Sequence, residues 1–333
     1  AKIIKRGELS VSPYIYKLQE IAKMQNFKKS SKKNKPLDSI KFNKVQVVGN
    51  KKYTDSYVFG KLRFRRGETI SFDDFSKGVN NLLATNNFDS FRYTFKPVSY
   101  DTYDLIGKVK ENTNTTLLKF GLHYDQVLKS SVLFNLTLKQ FLIKNDVLSM
   151  DLILGDNSRF NFDYYIDKGF YWSIGLNVNY TSFKYDINPS FFGSILSNEI
   201  DYKIPTYVSD FMACFFVETL IKKDLSFKIG ANFRQLAIEA SSNSLTNIPQ
   251  QGNYQIENND FFSLDTTLKF DTLDNIFFPT SGILFKTGGE LYLTASNYQN
   301  FSQFFALKTN ITKAFKISAV SYTHLTLPTT SPV

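Results

Sequence analysis

The residues with the most reactive side chains are few and lie far apart. The sequence holds one cysteine, Cys214, and two histidines, His123 and His324. A single cysteine excludes an internal disulfide framework and a cysteine-rich metal site. Two isolated histidines offer no metal-ligand spacing, and no Gly-x-Ser-x-Gly elbow, P-loop or His-Glu-x-x-His occurs. No catalytic residue, cofactor-binding residue or metal ligand is therefore assigned, and no cofactor is expected. The remaining candidates are two acids three positions apart, Asp271 and Asp274. Paired carboxylates can do general acid–base work. These two, however, share a short stretch with Asn275, Pro279 and Gly282. Asp, Asn, Pro and Gly form turns for separate physical reasons. Pro279 removes a backbone donor, and Gly282 permits a positive φ where the chain re-enters a strand. The two acids read as turn builders. Cys214 reads as an inert strand residue, and His123, between Leu122 and Tyr124, as a polar residue on the opposite face from its neighbours.

The turn lies between two alternating segments, Phe261–Phe270 and Ile283–Leu293. From Thr115 onward alternation is the rule. Phe170, Trp172, Ile174, Leu176, Val178 and Tyr180 share one face of a segment whose other face holds Tyr171, Ser173, Gly175, Asn177 and Asn179. Leu225, Phe227, Ile229, Ala231 and Phe233 likewise oppose Ser226, Lys228, Gly230, Asn232 and Arg234. Similar segments near 116–125, 130–140, 146–154, 158–166, 208–220, 261–270, 281–293 and 302–316 bring the expectation to ten strands over 115–318. A soluble sandwich also alternates, but strands of about ten residues suit a tilted membrane span. The connections alternate too. Leu142–Asp146, Asp167–Gly169, Ile221–Asp224 and Asp271–Gly282 are compact, whereas Tyr185–Thr206 and Ala240–Asn258 are long and polar. Short turns at one end and long loops at the other are the habit of outer-membrane barrels.

Composition agrees. Phe, Tyr and Trp make up 16% of the chain, which suits a surface that presents rings to lipid. No stretch approaches the ~18 apolar residues of a membrane helix. The net charge is +10, but residues 1–38 hold ten Lys/Arg against three Asp/Glu, so +7 of it lies there. That distribution argues against a nucleic-acid partner. Ser12-Pro13 is expected to start a short helix, with Tyr16, Leu18, Ile21 and Met24 as its stripe. Lys28–Pro36 reads as a solvated linker, with contact to anionic headgroups as the alternative. Residues 40–112 read as a β-α-α-β-β domain. A strand through Val45 and Val47 ends at Gly49-Asn50, Thr54 caps a first helix, Gly67 breaks the chain, and Ser71 precedes a second helix through Leu82. Strands at Phe91–Phe95 and Leu105–Val109 follow.

Two motifs carry a family resemblance. Asp271-Thr-x-Asp274-Asn275-x-x-x-Pro279-Thr-x-Gly282 resembles a periplasmic turn of the BamA/TamA-like outer-membrane assembly superfamily, the bacterial surface antigen barrels. Val45-x-Val47-x-Gly49-Asn50, Gly67, Leu82-x-x-Thr85-x-x-Phe88 and Val109-x-Glu111 resemble a POTRA domain, the periplasmic module of that superfamily. The resemblance implies an all-β transmembrane barrel, incomplete with about ten strands present, preceded by a small α+β POTRA domain. Barrels of the superfamily have roughly sixteen strands, and their Val-Arg-Gly-Phe motif does not occur here. With Ala1 in place of Met, the expectation is a fragment. Residues 319–333, where Ser321–Pro328 resembles translated adapter sequence, are expected to be a non-native tail without structure.

The resemblance further implies the outer membrane of a Gram-negative bacterium, with the POTRA domain in the periplasm. Implied partners are outer-membrane lipid and, through the POTRA strand edges Leu105–Val109 or Phe91–Phe95, unfolded outer-membrane proteins or a fused passenger domain. One reading makes residues 1–39 the tail of an upstream patatin-like phospholipase, so that this chain anchors or exports it and the catalytic residues lie upstream. Another makes the protein an insertion or translocation factor. A passive porin is the third.

Overall fold

The computed structural model describes residues 2–24, 39–125, 129–188, 203–241, 254–275, 278–298, 300–318 and 321–332. They fall in two compact units, Ala1–Asp38 and Ser39–Val333. The first unit holds helix α1 (Lys2–Val11), a 3-10 turn (Ser12–Tyr14) and helix α2 (Ile15–Met24). Helix thus precedes Ser12, and no side chain caps the Ser12–Tyr14 turn. Pro13 is tolerated because an N-terminal turn has a spare donor position. Tyr16 and Met24, expected on the stripe, are its most exposed large residues, and Ile15 takes their place beside Leu18 and Ile21.

The second unit opens with a small α+β domain. Its elements are β1 (Ser39–Val48), α3 (Asp55–Leu62), β2 (Thr69–Ser71), α4 (Phe72–Ala84), β3 (Phe88–Pro97) and β4 (Thr102–Glu111). Local chemistry sets the helix starts. The Thr54 hydroxyl accepts from the Tyr57 amide at 3.3 Å and the Ser71 hydroxyl from the Asp74 amide at 3.0 Å. Asp73 and Asp74 then complement the first turn of α4. The sheet order is β2-β1-β4-β3, with β1 and β4 parallel. Aromatic rings fill the core, where Phe42 lies 5.1 Å from Phe64 and 6.0 Å from Phe75 by ring centroid. Strand β4 is interior, bonded to β1 on one side and β3 on the other. Leu105–Val109 is therefore no edge, because the crossover that pairs β1 with β4 pushes β3 outside. Phe91–Phe95 does lie on an edge strand. The three-residue strand β2 is too short for alternation to reveal.

The second sheet contains β5 (Thr116–Asp125), β6 (Lys129–Lys139), β7 (Asp146–Gly155), β8 (Ser158–Ile166), β9 (Ser173–Ile187), β10 (Ile204–Lys222), β11 (Leu225–Ala240), β12 (Tyr254–Asp271), β13 (Gly282–Ala295), β14 (Phe304–Ser318) and β15 (Ser321–Pro332). Each strand pairs antiparallel with the next. The ten expected strands are β5 to β14. The eleventh, β15, corrects the expectation that nothing ordered follows residue 319. Its Thr-rich, uncharged sequence has high β-propensity, and the open edge of β14 supplies a backbone template. Pro328 and Pro332 are tolerated because β15 is itself an edge among the described residues.

Alternation becomes two faces. Phe120, Phe134, Leu152, Phe160, Tyr180 and Phe211 stand opposite one another in turn across β5 to β10. Phe215, Ala231, Leu264, Leu291 and Phe305 do the same across β10 to β14. Most of these large side chains are exposed. The opposite face carries the row Asp163, Asn177, Cys214, Asn232 and Ser263, of which the last three are buried. Apolar outside and polar inside is the polarity of a barrel wall in lipid. Several strand limits differ from expectation. β9 begins at Ser173, so Phe170 and Trp172 lie in the preceding turn. The ladders of β9–β10 and β11–β12 also run into both long loops, pairing Tyr185 with Thr206 and Ala240 with Tyr254. Residues 189–202 and 242–253 lie outside the described residues.

Candidate functional site at the junction of domain and strand turns

Helices α3 and α4 meet the compact connections of the large sheet, and three of these connections supply partners. At the β6–β7 turn, Asn145 accepts from the Thr54 amide at 2.8 Å and its own amide donates to the Thr54 hydroxyl at 2.8 Å. Asn145 is buried and adopts φ 65°. The left-handed region suits Asn better than most residues. Asp146, fully buried, holds this turn in shape. Its carboxylate accepts from the amides of Phe141, Leu142 and Ile143 at 2.7–2.9 Å and from the Tyr164 hydroxyl at 2.8 Å.

At the β8–β9 turn, Gly169 (φ 66°) packs directly on Gly60 of α3, and a Cβ on Gly60 would stand 2.3 Å from the Gly169 Cα. Lys61 pairs with Asp167 at 2.5 Å, and the Arg65 guanidinium lies 4.7 Å from the Phe170 ring centroid. At the β10–β11 turn, Arg63 pairs with Asp224 at 3.1 Å and Lys223 with Asp74 at 3.4 Å. These pairs are half-exposed, so each is worth ~0.2–1 kcal/mol and their role is mainly registration. From the end of β6, the Lys139 ammonium donates to Asn87 Oδ1 at 2.7 Å and to the Thr85 carbonyl at 3.2 Å. That places a cation at the carbonyl end of α4, the favourable end of the helix dipole. Asn87 in turn donates to the Tyr57 hydroxyl at 2.6 Å, and burial pushes that phenol well above its ordinary pKa.

The β12–β13 connection closes the row, since the Asp271 amide donates to the Asp224 carbonyl at 2.8 Å. Asp271, expected as a turn builder, accepts from the Leu273 amide and pairs with Lys269 at 2.9 Å. Asp274 accepts from the amides of Thr280 at 2.8 Å and Ser281 at 3.1 Å, and from the Thr280 hydroxyl. Those bonds, the hydroxyl's first, pull its pKa down to about 2. Asn275 accepts from the Phe278 amide at 3.0 Å, and Pro279 follows. Gly282 has φ 108°, and a Cβ there would lie 2.2 Å from the Thr272 carbonyl oxygen. The β6–β7, β8–β9, β10–β11 and β12–β13 connections thus gather at the end of the sheet that carries the α+β domain, while the far end holds the long β9–β10 and β11–β12 connections and the two-residue β7–β8 turn. The tips of the first four expose apolar side chains, among them Leu142, Tyr171, Ile221 and Phe278.

The other group of expected residues builds the domain itself. Val45, Val47, Leu82 and Phe88 are core. Gly49 (φ 95°) abuts the Val109 carbonyl, where a Cβ would come within 2.3 Å, and Gly67 (φ 85°) sits in a turn with open space around it. The Asn50 amide donates to the Tyr53 carbonyl at 2.9 Å and to Asp55 at 2.7 Å. Glu111 accepts from three successive amides, those of Lys51, Lys52 and Tyr53, at 2.8–3.1 Å. Sequence reasoning missed Asn145, Asp146, Gly60, Gly169 and the charge pairs. The Asn-Asp pair opening β7 was the one local signal, since both residues favour turns.

On the polar face of the sheet, a cavity of about 680 Å3 is lined by Asp163, Cys214, Lys228, Asn232, Asp265 and Glu290, among others. Asp265 pairs with Lys228 at 3.1 Å, and Asn232 donates to Asp265 and Glu290 at 3.2 and 3.3 Å. Arg234 holds Asp210 in a two-point grip, both bonds 2.8 Å. His123 stands opposite Ser131 on this face, whereas Leu122 and Tyr124 are outward and exposed. His324 falls on β15, whose side chains are outside the description.

An antiparallel sheet with this polarity, joined at one end to an α+β domain, defines a transmembrane barrel with an appended α+β module. The chain belongs to the OMP85 superfamily, whose family pattern matches residues 103–329. No curated protein matches the chain. Solved structures with a similar fold include BamA from Haemophilus ducreyi lacking POTRA domains 1–3, at 20% identity and a TM-score of 0.54. CdiB from Escherichia coli is similar at 7% identity and a TM-score of 0.57. Each alignment covers 88% of this chain, and the chain spans about half of either structure, 56% and 54% respectively.

Proposed function

We propose that this protein assembles or translocates other proteins at the outer membrane, with residues 40–112 acting as a POTRA domain on the periplasmic side. Membership of the superfamily supports the barrel's place, and the short-turn end is the periplasmic one in such barrels. The observation that carries the reading is β3. It is ten residues long, it lies at the outer edge of the domain sheet, and Arg92, Tyr93 and Thr94 along it are exposed. Such an edge can add a client strand through main-chain hydrogen bonds. Contacts such as Thr54–Asn145, Lys61–Asp167 and Arg63–Asp224 tie the domain that carries this edge to the turns of the large sheet.

Proline substitution tests it. Of two successive strand residues, one directs its amide outward. Between Arg92→Pro and Tyr93→Pro, the variant that removes the outward amide keeps the internal ladder and should cut outer-membrane insertion of client barrels. Unchanged insertion with both variants contradicts the reading.

A second reading makes the barrel the export or anchoring half of a patatin-like phospholipase fusion. It is favoured by the helical segment before the α+β domain, which forms its own unit. A Gly-x-Ser-x-Gly elbow encoded upstream in the full-length gene supports it. Further POTRA repeats there support the assembly factor.

A further inference from the structure

The N-terminal unit is a helical segment, Lys2 to Met24, with a 3-10 turn at its centre. Val11, Tyr14, Ile15, Leu18, Ile21 and Ala22 recur at three-to-four spacing and form one stripe. No residue of α2 is buried, and Ile15, Leu18 and Ile21 are each about half exposed, at 47%, 51% and 48%. An apolar stripe in that state lacks the cover that would stabilise a short helix, because helices of about ten residues are marginal alone in water. Lys17 and Lys23 flank the stripe, where long stems lie along apolar surface while their ammonium groups stay in water. Residues 1–38 carry ten Lys/Arg against three Asp/Glu, a net +7, while residues 39–333 carry +3 by difference from +10.

We propose that this segment is an interfacial anchor, lying with the Ile15–Leu18–Ala22 stripe in the headgroup layer of an anionic phospholipid membrane. Charge selects this occupant. An apolar protein groove gains nothing from the surplus of five Lys/Arg over two Asp/Glu in residues 2–24, whereas an anionic leaflet attracts basic side chains that stand within a Debye length of ~8–10 Å of it. Apolar stripe, flanking lysines and basic surplus are together the chemistry of helices that lie in the membrane plane. The anchor would tether the chain to the membrane ahead of the α+β domain. It is independent of any client, so its test does not depend on the assembly reading.

The test uses the full chain with Cys214→Ser and Ala22→Cys, labelled at position 22 with a polarity-sensitive fluorophore. The protein is reconstituted into vesicles of phosphatidylcholine alone or of phosphatidylcholine with phosphatidylglycerol at about 7:3. Expected is a blue-shifted emission in the anionic vesicles, with quenching by aqueous iodide about threefold weaker than in neutral ones. High salt or Leu18→Glu should abolish the difference. An equal spectrum in both vesicles overturns the proposal, whether water-exposed in both or blue-shifted in both.

Discussion

The α+β domain and the large sheet are built from the same alternating aromatic and aliphatic strands, yet they place these residues on opposite sides of the backbone. In the domain, Phe42, Phe64, Phe75 and Phe88 point inward and are buried. In the sheet, Phe120, Leu264 and Phe305 point outward and are exposed, while Asn232 and Ser263 are buried within. The difference lies in the solvent each part folds against. Water drives apolar groups inward at roughly 25 cal/mol per Å2, whereas lipid gives no such push and instead requires every backbone polar group to be paired. The junction must therefore be neither core nor lipid face. It is made of capped turns, a glycine pair and half-exposed charges.

Substitutions at matched aromatic positions sharpen that contrast. Phe75→Ala in the domain should cost ~3–5 kcal/mol through lost burial and a cavity. Phe215→Ala on the outward face should cost ~1 kcal/mol or less, since lipid tails replace the ring. Urea unfolding of the domain and of the reconstituted barrel, followed separately, measures both. Equal losses would remove the distinction. A smaller effect is expected at the junction. Asn145→Ala removes both bonds to Thr54 and leaves a part-buried amide unpaired, at ~1–3 kcal/mol. The domain should then unfold at lower urea than the barrel, in a separate step, whereas wild type holds the two together longer.

The smallest effect is local and depends on pH. Asp274 has a depressed pKa, so its turn contacts are fully present above the ordinary carboxylate value near ~4 and are lost as pH falls through about 2. Amide chemical shifts of Thr280 and Ser281 should hold to about pH 3 and move below it, and Asp274→Asn should erase that step. A midpoint near 4 would mean that the turn does not hold the carboxylate.

Much of the sheet was legible because its period is two and its turns carry Asp, Asn, Pro and Gly. Ten strands and the end on which Asp271–Gly282 falls follow from those signals alone. Strand ends were less legible. The ladders of β9–β10 and β11–β12 continue into polar loop sequence because main-chain pairing needs no apolar side chain. The interior position of β4 was hidden for a related reason, since a parallel crossover leaves no trace in the strand's own pattern. The junction was illegible for want of proximity. Thr54 meets Asn145, Lys61 meets Asp167 and Arg63 meets Asp224, partners roughly 90 to 160 positions apart. Single surface charges carry no sign of the partner they will meet. Strand β15 was missed because its Thr- and Pro-rich sequence lacks alternation, and its pairing rests on the exposed edge of β14.

The central claim is that the large sheet stands in lipid with its apolar face outward. Single cysteines placed along β12 at Ser263, Leu264, Asp265 and Thr266, in a Cys214→Ser background, test it directly when spin-labelled in reconstituted bilayers. Collision with lipid-dissolved oxygen should be high at 264 and 266 and low at 263 and 265, with the opposite order for a water-soluble nickel complex. Uniform water access along the strand, or an apolar face shielded from oxygen as in a soluble sandwich, would contradict the account.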